Sequence, residues 1–216
     1  MKSLVFATNH SNKLQEARQI LPLKIMSLDD LKLKVNIPET ANTLHGNALQ
    51  KAIFVSEKLN DNDCGVFADD TGLEVQVLDN EPSVFSARYA NFPCDVRIAA
   101  LSPTKRKHYA ALPDPPFHLN IEKLLAVLKP FETSQQRAAC FKTVICLLYD
   151  GTIRYFEGRI DGYILHKPQG EMGFGYDSIF CPVGYEKSFA SLTAEEKNAI
   201  SHRGDALRKM RLFYEY

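Results

Sequence analysis

Two adjacent carboxylates, Asp69 and Asp70, stand in the stretch Phe67-Ala68-Asp69-Asp70-Thr71-Gly72-Leu73-Glu74-Val75, between two apolar runs of β type. Like charges set side by side at a strand end repel unless they share a proton or a cation, so this spacing outlines a metal or acid–base site. The alternative without chemistry is a solvated turn in which an Asp bonds its own backbone. Gly65 to Ala68 reads as the end of one strand and Asp-Thr-Gly as a turn. Leu73, Val75 and Val77, alternating with Glu74 and Gln76, then read as a second, half-buried strand.

Cations stand ready elsewhere in the chain. Thr8-Asn9-His10-Ser11-Asn12 is a polar loop feeding a helix, with Lys13 in the first helical turn. The unpaired amides and positive end of a helix favour an anion there, so the loop can hold phosphate or serve simply as a cap. Lys51 lies at the border of the apolar stripe Ala48, Ala52, Val55 and Leu59, from which it either reaches a cleft or snorkels to solvent. Glu39 is a candidate third acid, or else a surface residue. Gly170-Glu171-Met172-Gly173-Phe174-Gly175-Tyr176-Asp177 lets backbone approach a ligand and offers two flat rings for a nucleobase, but it matches neither a P-loop nor a dinucleotide fingerprint. Lys197, His202 and Arg203 spread too widely to converge on one unbroken helix, so their convergence requires a break near Ser201.

The elements that must position these groups follow from periodicity. Strands are expected at Ser3 to Ala7 and Ile25 to Ser27, and a helix bears Leu14, Ala17 and Leu21 on one face. A second helix runs from Thr43 to Leu59, and another carries Ile121, Leu124, Leu125 and Leu128. Arg137 to Tyr149 and Thr152 to Ile160 form a hairpin about Asp150-Gly151, and Thr193-Ala194-Glu195-Glu196 is a capping box. Long hairpins among helices argue for an α/β fold with a mixed sheet. From Asn91 to Leu119, five prolines and the run Lys105-Arg106-Lys107-His108 suggest an irregular insertion within a single domain over residues 1–216. No aromatic stacking platform accompanies those charges, so a solvated segment is favoured over a nucleic-acid contact.

Composition sets the outer bounds. The 216 residues suffice for a large core, and a formal charge of +0 supplies no global field for nucleic acid or membrane. Five cysteines without a Cys-x-x-Cys pair argue against a disulfide framework or zinc site and fit a reducing cytoplasm. The apolar run Leu4 to Ala7 is too short for a signal peptide, and no stretch approaches a membrane span.

Taken together, Thr8 with Asn12-Lys13, Ala68 to Val75, Ser86-Ala87-Arg88-Tyr89-Ala90, Gly173 to Asp177 and Ser201-His202-Arg203-Gly204 make the chain resemble the inosine triphosphate pyrophosphatase family. The resemblance implies an elongated mixed sheet with flanking helices, two lobes around a central cleft, and usually a homodimer. It further implies Mg²⁺-dependent hydrolysis of inosine and xanthosine triphosphates, ribo or deoxy, to monophosphate and pyrophosphate. Asp70 would be the catalytic acid and, with Glu39, a metal ligand. Lys13, Lys51 and Lys197 would neutralise the triphosphate, and Thr8, Asn9, His10, Ser11, Asn12 and Thr71 would also bind the substrate, with the contact at His10 going to phosphate or sugar. Phe174, Gly175, Tyr176 and Asp177 would position the base, while His202 and Arg203 would donate to the 6-oxygen that adenine lacks.

The chain departs from the family pattern at four places. His10 stands where that loop usually carries Asn, Gly46 replaces an acid, Ser83 replaces a turn glycine and Ser178 replaces a proline. A pyrophosphatase for other modified nucleotides is one competing expectation. A nucleotide-binding sensor without turnover is another, although the loss of Asp70 or the lysines that would mark it is absent.

Overall fold

The computed structural model describes residues 3–59 and 64–215. Its seven-stranded sheet has the order β2-β1-β3-β5-β6-β7, with β4 paired to β3. The strands are β1 (Leu4–Phe6), β2 (Ile25–Met26), β3 (Gly65–Val75), β4 (Glu81–Ser83), β5 (Ala138–Tyr149), β6 (Thr152–Ile164) and β7 (Phe180–Pro182). The helices are α1 (Ser11–Ile20), α2 (Leu44–Leu59), α3 (Pro103–Ala110), α4 (Phe117–Val127), α5 (Ala194–Ile200) and α6 (His202–Glu215). The sheet is mixed, as expected: β1 pairs in parallel with β2 and β3, whereas β3–β4 and β6–β7 are antiparallel.

The chain divides into two compact units. The first comprises Met1–Thr71, Lys142–Arg159 and Asn198–Tyr216. Its core joins Leu4, Phe6 and Phe67 of the sheet to Ala17 and Leu21 of the α1 region and Ala206, Leu207 and Met210 of α6. The Phe6 and Phe67 rings stack at 4.3 Å. Helix α2 buries Ala48, Ala52 and Val55 at the expected spacing, with Asn47 and Lys51 on the same buried face.

The second unit comprises Gly72–Phe141 and Ile160–Lys197. Phe141, Phe180 and Phe189 form its aromatic centre, with centroids 4.7 Å and 5.1 Å apart for the first and second pairs. Buried Arg137 satisfies its guanidinium on the carbonyls of Leu128, Phe131, Ile164 and Leu165. The segment over 91–119 is more regular than its prolines suggest. Ser102 caps α3, Pro103 occupies the first helical turn where its missing N–H is harmless, and the Glu81 carboxylate holds the amides of Ile98 and Ala99.

One expectation fails. Asp-Thr-Gly is not a turn, because β3 runs unbroken from Gly65 to Val75. The reversal comes later, through a 3-10 turn at Gln76–Leu78 and left-handed Asp79 and Asn80, after which Val75 faces Glu81 and Leu73 faces Ser83. Adjacent Asp residues and Gly weigh against a strand by propensity, but charges neutralised where they stand need no turn to reach water. Other local signals hold. Asp150 and Gly151 both take positive φ between β5 and β6, the Thr193 and Glu196 side chains bond each other's amides, and Ser201 interrupts the last helical region.

Candidate active site

Strand β3 positions the acids of the first unit. Successive strand residues face opposite sides of a sheet, so Phe67, Asp69 and Thr71 turn toward α1 and α6 while Asp70 turns toward α2. Neighbours in sequence are thereby separated in space, and each acid meets its own cations.

On the first face, Asp69 accepts from Lys13 Nζ through Oδ1 at 2.9 Å and from Arg203 Nε through Oδ2 at 2.9 Å. The Arg203 guanidinium also donates to Thr71 Oγ1 at 3.2 Å and pairs with the Glu16 carboxylate. The Thr71 hydroxyl lies 2.7 Å from that of Thr143. Burial alone would push the Asp69 carboxyl up, but Lys13, Arg203 and Lys51 outweigh it and hold the group well below the usual carboxylate range. Burial lowers Lys13 more than Asp69 raises it, with Lys51 and Arg203 adding like-charge repulsion. Arg203 is pushed above its ordinary value, because Asp69 and Glu16 overcome its burial. This face carries a buried ion-pair array.

On the opposite face, Lys51 Nζ donates to Glu39 Oε1 at 2.6 Å and to Asp70 Oδ1 at 3.2 Å. Asn47 Nδ2 donates to Asp70 Oδ2 at 3.1 Å, and its Oδ1 accepts the Ala41 amide at 2.9 Å. Gln50 exchanges two hydrogen bonds with Thr40, at 2.9 Å each, which ties the residue after Glu39 to α2. Burial raises the Asp70 carboxyl; Lys51 opposes this, Glu39 reinforces it, and the balance stays above the ordinary value. Burial lowers Lys51, but Asp70 and Glu39 more than restore it, so the lysine is charged between two acids. Lys51 is 4% exposed, which excludes the snorkelling alternative.

The loop before α1 is ordered by its own residues. The His10 amide donates to Thr8 Oγ1 at 3.1 Å and Asn9 Nδ2 to the Val35 carbonyl at 3.2 Å. His10 is the N-cap in extended conformation, Ser11 and Asn12 begin the helix, and no acid occupies its first turn. Burial and Lys13 lower the His10 imidazole and favour its neutral form.

The remaining expected residues lie in the second unit, apart from buried His202 at the start of α6. Gly173 has φ of 80°, and a Cβ there would come within 2.2 Å of Asp177 Oδ2. That oxygen accepts the Phe174 amide at 2.8 Å and Lys197 Nζ at 2.7 Å. Lys197 also lies 4.9 Å from the Phe174 ring centroid, so its contacts here are with the aromatic loop. The Tyr176 hydroxyl donates to the Ser86 carbonyl at 2.8 Å. Burial, with Tyr89 beside it, pushes that phenol well up and keeps it a donor.

Glu16, Asn47, Gln50 and Thr143 were not singled out from sequence. Asn47 was within reach, since it precedes Lys51 by four residues on one helix face. Thr143 carries no local signal, because strand pairing alone brings it to Thr71. Gly46 has a structural account: a Cβ there would lie 2.6 Å from the Ala41 Cβ, so an acid requires the chain before α2 to shift.

The donor set around Asp70 fits a hard cation. Two carboxylates reach toward one point, now bridged by the Lys51 ammonium, and all the available ligand atoms are oxygens. Among the described residues no group of three or more His, Cys, Asp or Glu is arranged to hold a metal by itself. Mg²⁺ keeps several waters and takes one or two carboxylates plus phosphate oxygens, so the pair suffices. Nor is any helix among the described residues long and apolar enough to cross a membrane.

Comparison with known proteins gives a concordant result. The model of the Ham1 family matches residues 4–213. A dITP/XTP pyrophosphatase of Porphyromonas gingivalis is 42% identical over 215 residues, covering 99% of this chain and 97% of that protein. One from Bacillus subtilis is 36% identical over 214 residues, covering 97% and 96%. Among solved structures, a HAM1 protein from Coxiella burnetii superposes with a TM-score of 0.79 at 29% identity, covering 100% of this chain and 99% of its own.

Proposed function

The chain belongs to the Ham1 family, and from that premise we propose that it hydrolyses non-canonical purine nucleoside triphosphates such as dITP and XTP to the monophosphate and pyrophosphate. It is a nucleoside triphosphate pyrophosphatase, a hydrolase of phosphoric anhydrides, and it cleanses the nucleotide pool. The observation that carries the mechanism is the buried Asp70, shared with Glu39 through one lysine and held at its other oxygen by Asn47.

Asp70, raised above its ordinary value by burial, accepts the proton of the attacking water at Oδ1 or Oδ2. Asn47 fixes the carboxylate's orientation, and Lys51 moves from acid to phosphate as the polyanion enters. Lys13, the amides opening α1 and the Thr8 to Asn12 loop take the phosphate chain. Glu39 and Asp70 would hold Mg²⁺, which supplies charge neutralisation to the phosphate oxygens and to the pyrophosphate leaving group. Phe174 offers the stacking face for the base, with Asp177 and Lys197 bracing its loop. Arg203 organises Asp69, Glu16 and Thr71, and with His202 supplies donors to the purine 6-oxygen. A cytoplasmic homodimer is the form in which we expect it to act, which size-exclusion chromatography with light scattering checks.

The test is pyrophosphate release from inosine, xanthosine, adenosine and guanosine triphosphates, with Mg²⁺ or excess chelator. Release from the first two that the chelator abolishes is expected, and Asp70→Asn should lose about 10²–10⁴-fold in rate. Equal rates on all four purines would sink the base selection and leave the phosphate chemistry standing.

A further inference from the structure

Lys123, on α4, is 7% exposed, yet its Nζ donates to the backbone carbonyls of Tyr89 at 2.6 Å and Phe92 at 2.7 Å. The ammonium also sits 4.0 Å from the Tyr89 ring centroid. One turn earlier on the same helix face, buried Asn120 donates to the Ala87 carbonyl at 3.0 Å and accepts the Ala90 amide at 2.7 Å. Two side chains therefore grip four backbone groups of the 3-10 turn Ser86–Asn91 and the residue after it. The first residue of that turn is the one whose carbonyl receives the Tyr176 hydroxyl. Tyr176 is two residues from Phe174, and the Ser86 hydroxyl ties the same turn to the Leu73 amide at 2.9 Å.

A buried ammonium held by carbonyls is costly, and a methionine would fill the space without the desolvation penalty. What the lysine provides is a fixed geometry for carbonyls that a helix face cannot otherwise satisfy. We propose that Asn120 and Lys123 are positioning residues for base recognition, setting through the Ser86–Asn91 turn and the Tyr176 hydroxyl where the Phe174 ring stands. This rests on the reading that the Phe174 loop holds the purine.

The arrangement has an alkaline limit. Burial pushes Lys123 down to about 8, so the charge gripping the turn is lost at mildly basic pH. The other titratable or charged groups around it are Glu81 of β4, Tyr89 of the turn itself, and Cys94 and Arg97 beyond it. Arg88, also on the turn, is bound to Asp114 and the Ala110 carbonyl. Tyr89 is pushed up to about 12 by burial and stays protonated through this range. A Cys94→Ser background removes the exposed thiol from the comparison.

The experiment measures kcat and KM for inosine and adenosine triphosphates between about pH 6.5 and 9.5. It uses the full chain and its Asn120→Ala, Lys123→Met, Lys123→Arg and Phe174→Ala variants. Lys123→Met and Asn120→Ala should each raise the KM for inosine triphosphate about tenfold and narrow the preference over adenosine triphosphate, with kcat within about threefold. The wild-type KM should climb above the Lys123 transition more steeply than that of Lys123→Arg, whose charge persists, and equal pH profiles would overturn the clamp. A merely structural role would lower the melting temperature and active fraction and leave KM alone. Unchanged KM and preference in both variants, with KM raised in Phe174→Ala, overturns the clamp and spares the base loop. No effect of Phe174→Ala overturns both. If Lys123→Met fails to fold, Asn120→Ala decides.

Discussion

Both units bury lysines against carboxylates, and the second also buries one in another way. In the first, charge is answered by charge: Asp69 by Lys13 and Arg203, Asp70 and Glu39 by Lys51. In the second, Lys197 is likewise held by Asp177, but Lys123 is answered by backbone carbonyls and an aromatic face. The difference separates two tasks. Lysines paired to carboxylates can exchange those partners for phosphate oxygens, whereas a lysine spent on its own backbone has nothing to exchange and only holds shape.

The strongest way to break this contrast is Asp69→Asn, which removes the anion between Lys13 and Arg203. We expect about 3–5 kcal/mol of lost stability, because half-buried Lys13 and buried Arg203 are left facing each other with Glu16 on Arg203 as the remaining counter-charge. Urea denaturation reads this, and added inorganic triphosphate should restore more stability to the variant than to the wild type. An unchanged midpoint would mean that charge pairing does not hold the first unit together.

Lys123 sharpens the other side. Its folded pKa lies below its unfolded value, so between about pH 8 and 10 the unfolded chain binds more protons and stability rises with pH. The gain across that window is roughly 2–3 kcal/mol. Subtracting the denaturation curve of Lys123→Met isolates it, and a flat difference would show that burial does not tax the ammonium. The smallest expected effect is at Ser83, which has φ of 47°. Ser83→Gly relieves a left-handed conformation at the loss of a 3.4 Å contact to Glu74, and should add about 0.5–1 kcal/mol in the same assay.

These regions also differ in how far they were legible from sequence. The capping box at Thr193, the break at Ser201 and the Asp150-Gly151 turn depend on chemistry within a few residues, and each was read correctly. Lys51 was placed on its helix border, but its burial depends on Glu39 and Asp70 arriving from elsewhere in the chain. The Asp-Thr-Gly turn was misread for a related reason: local propensity describes a free segment, and the lysines that let two acids stay in a strand are distant in sequence. Lys123 stood unremarked among Ile121, Leu124 and Leu125, since periodicity identifies an apolar face and not a polar guest within it.

Strand β3 also makes the pairing of the two acids a question of parity. Asp69 and Asp70 differ only in being odd or even along one extended run. Removing a single residue between Gly65 and Ala68, with the pairing to β1 kept, would carry Asp70 into the place of Asp69, facing Lys13, and turn Asp69 to the α2 face at the height of Ala68. Removing two would restore the assignment and shift it along the strand by one side-chain repeat. Anyone shortening or grafting this sheet must therefore count in twos.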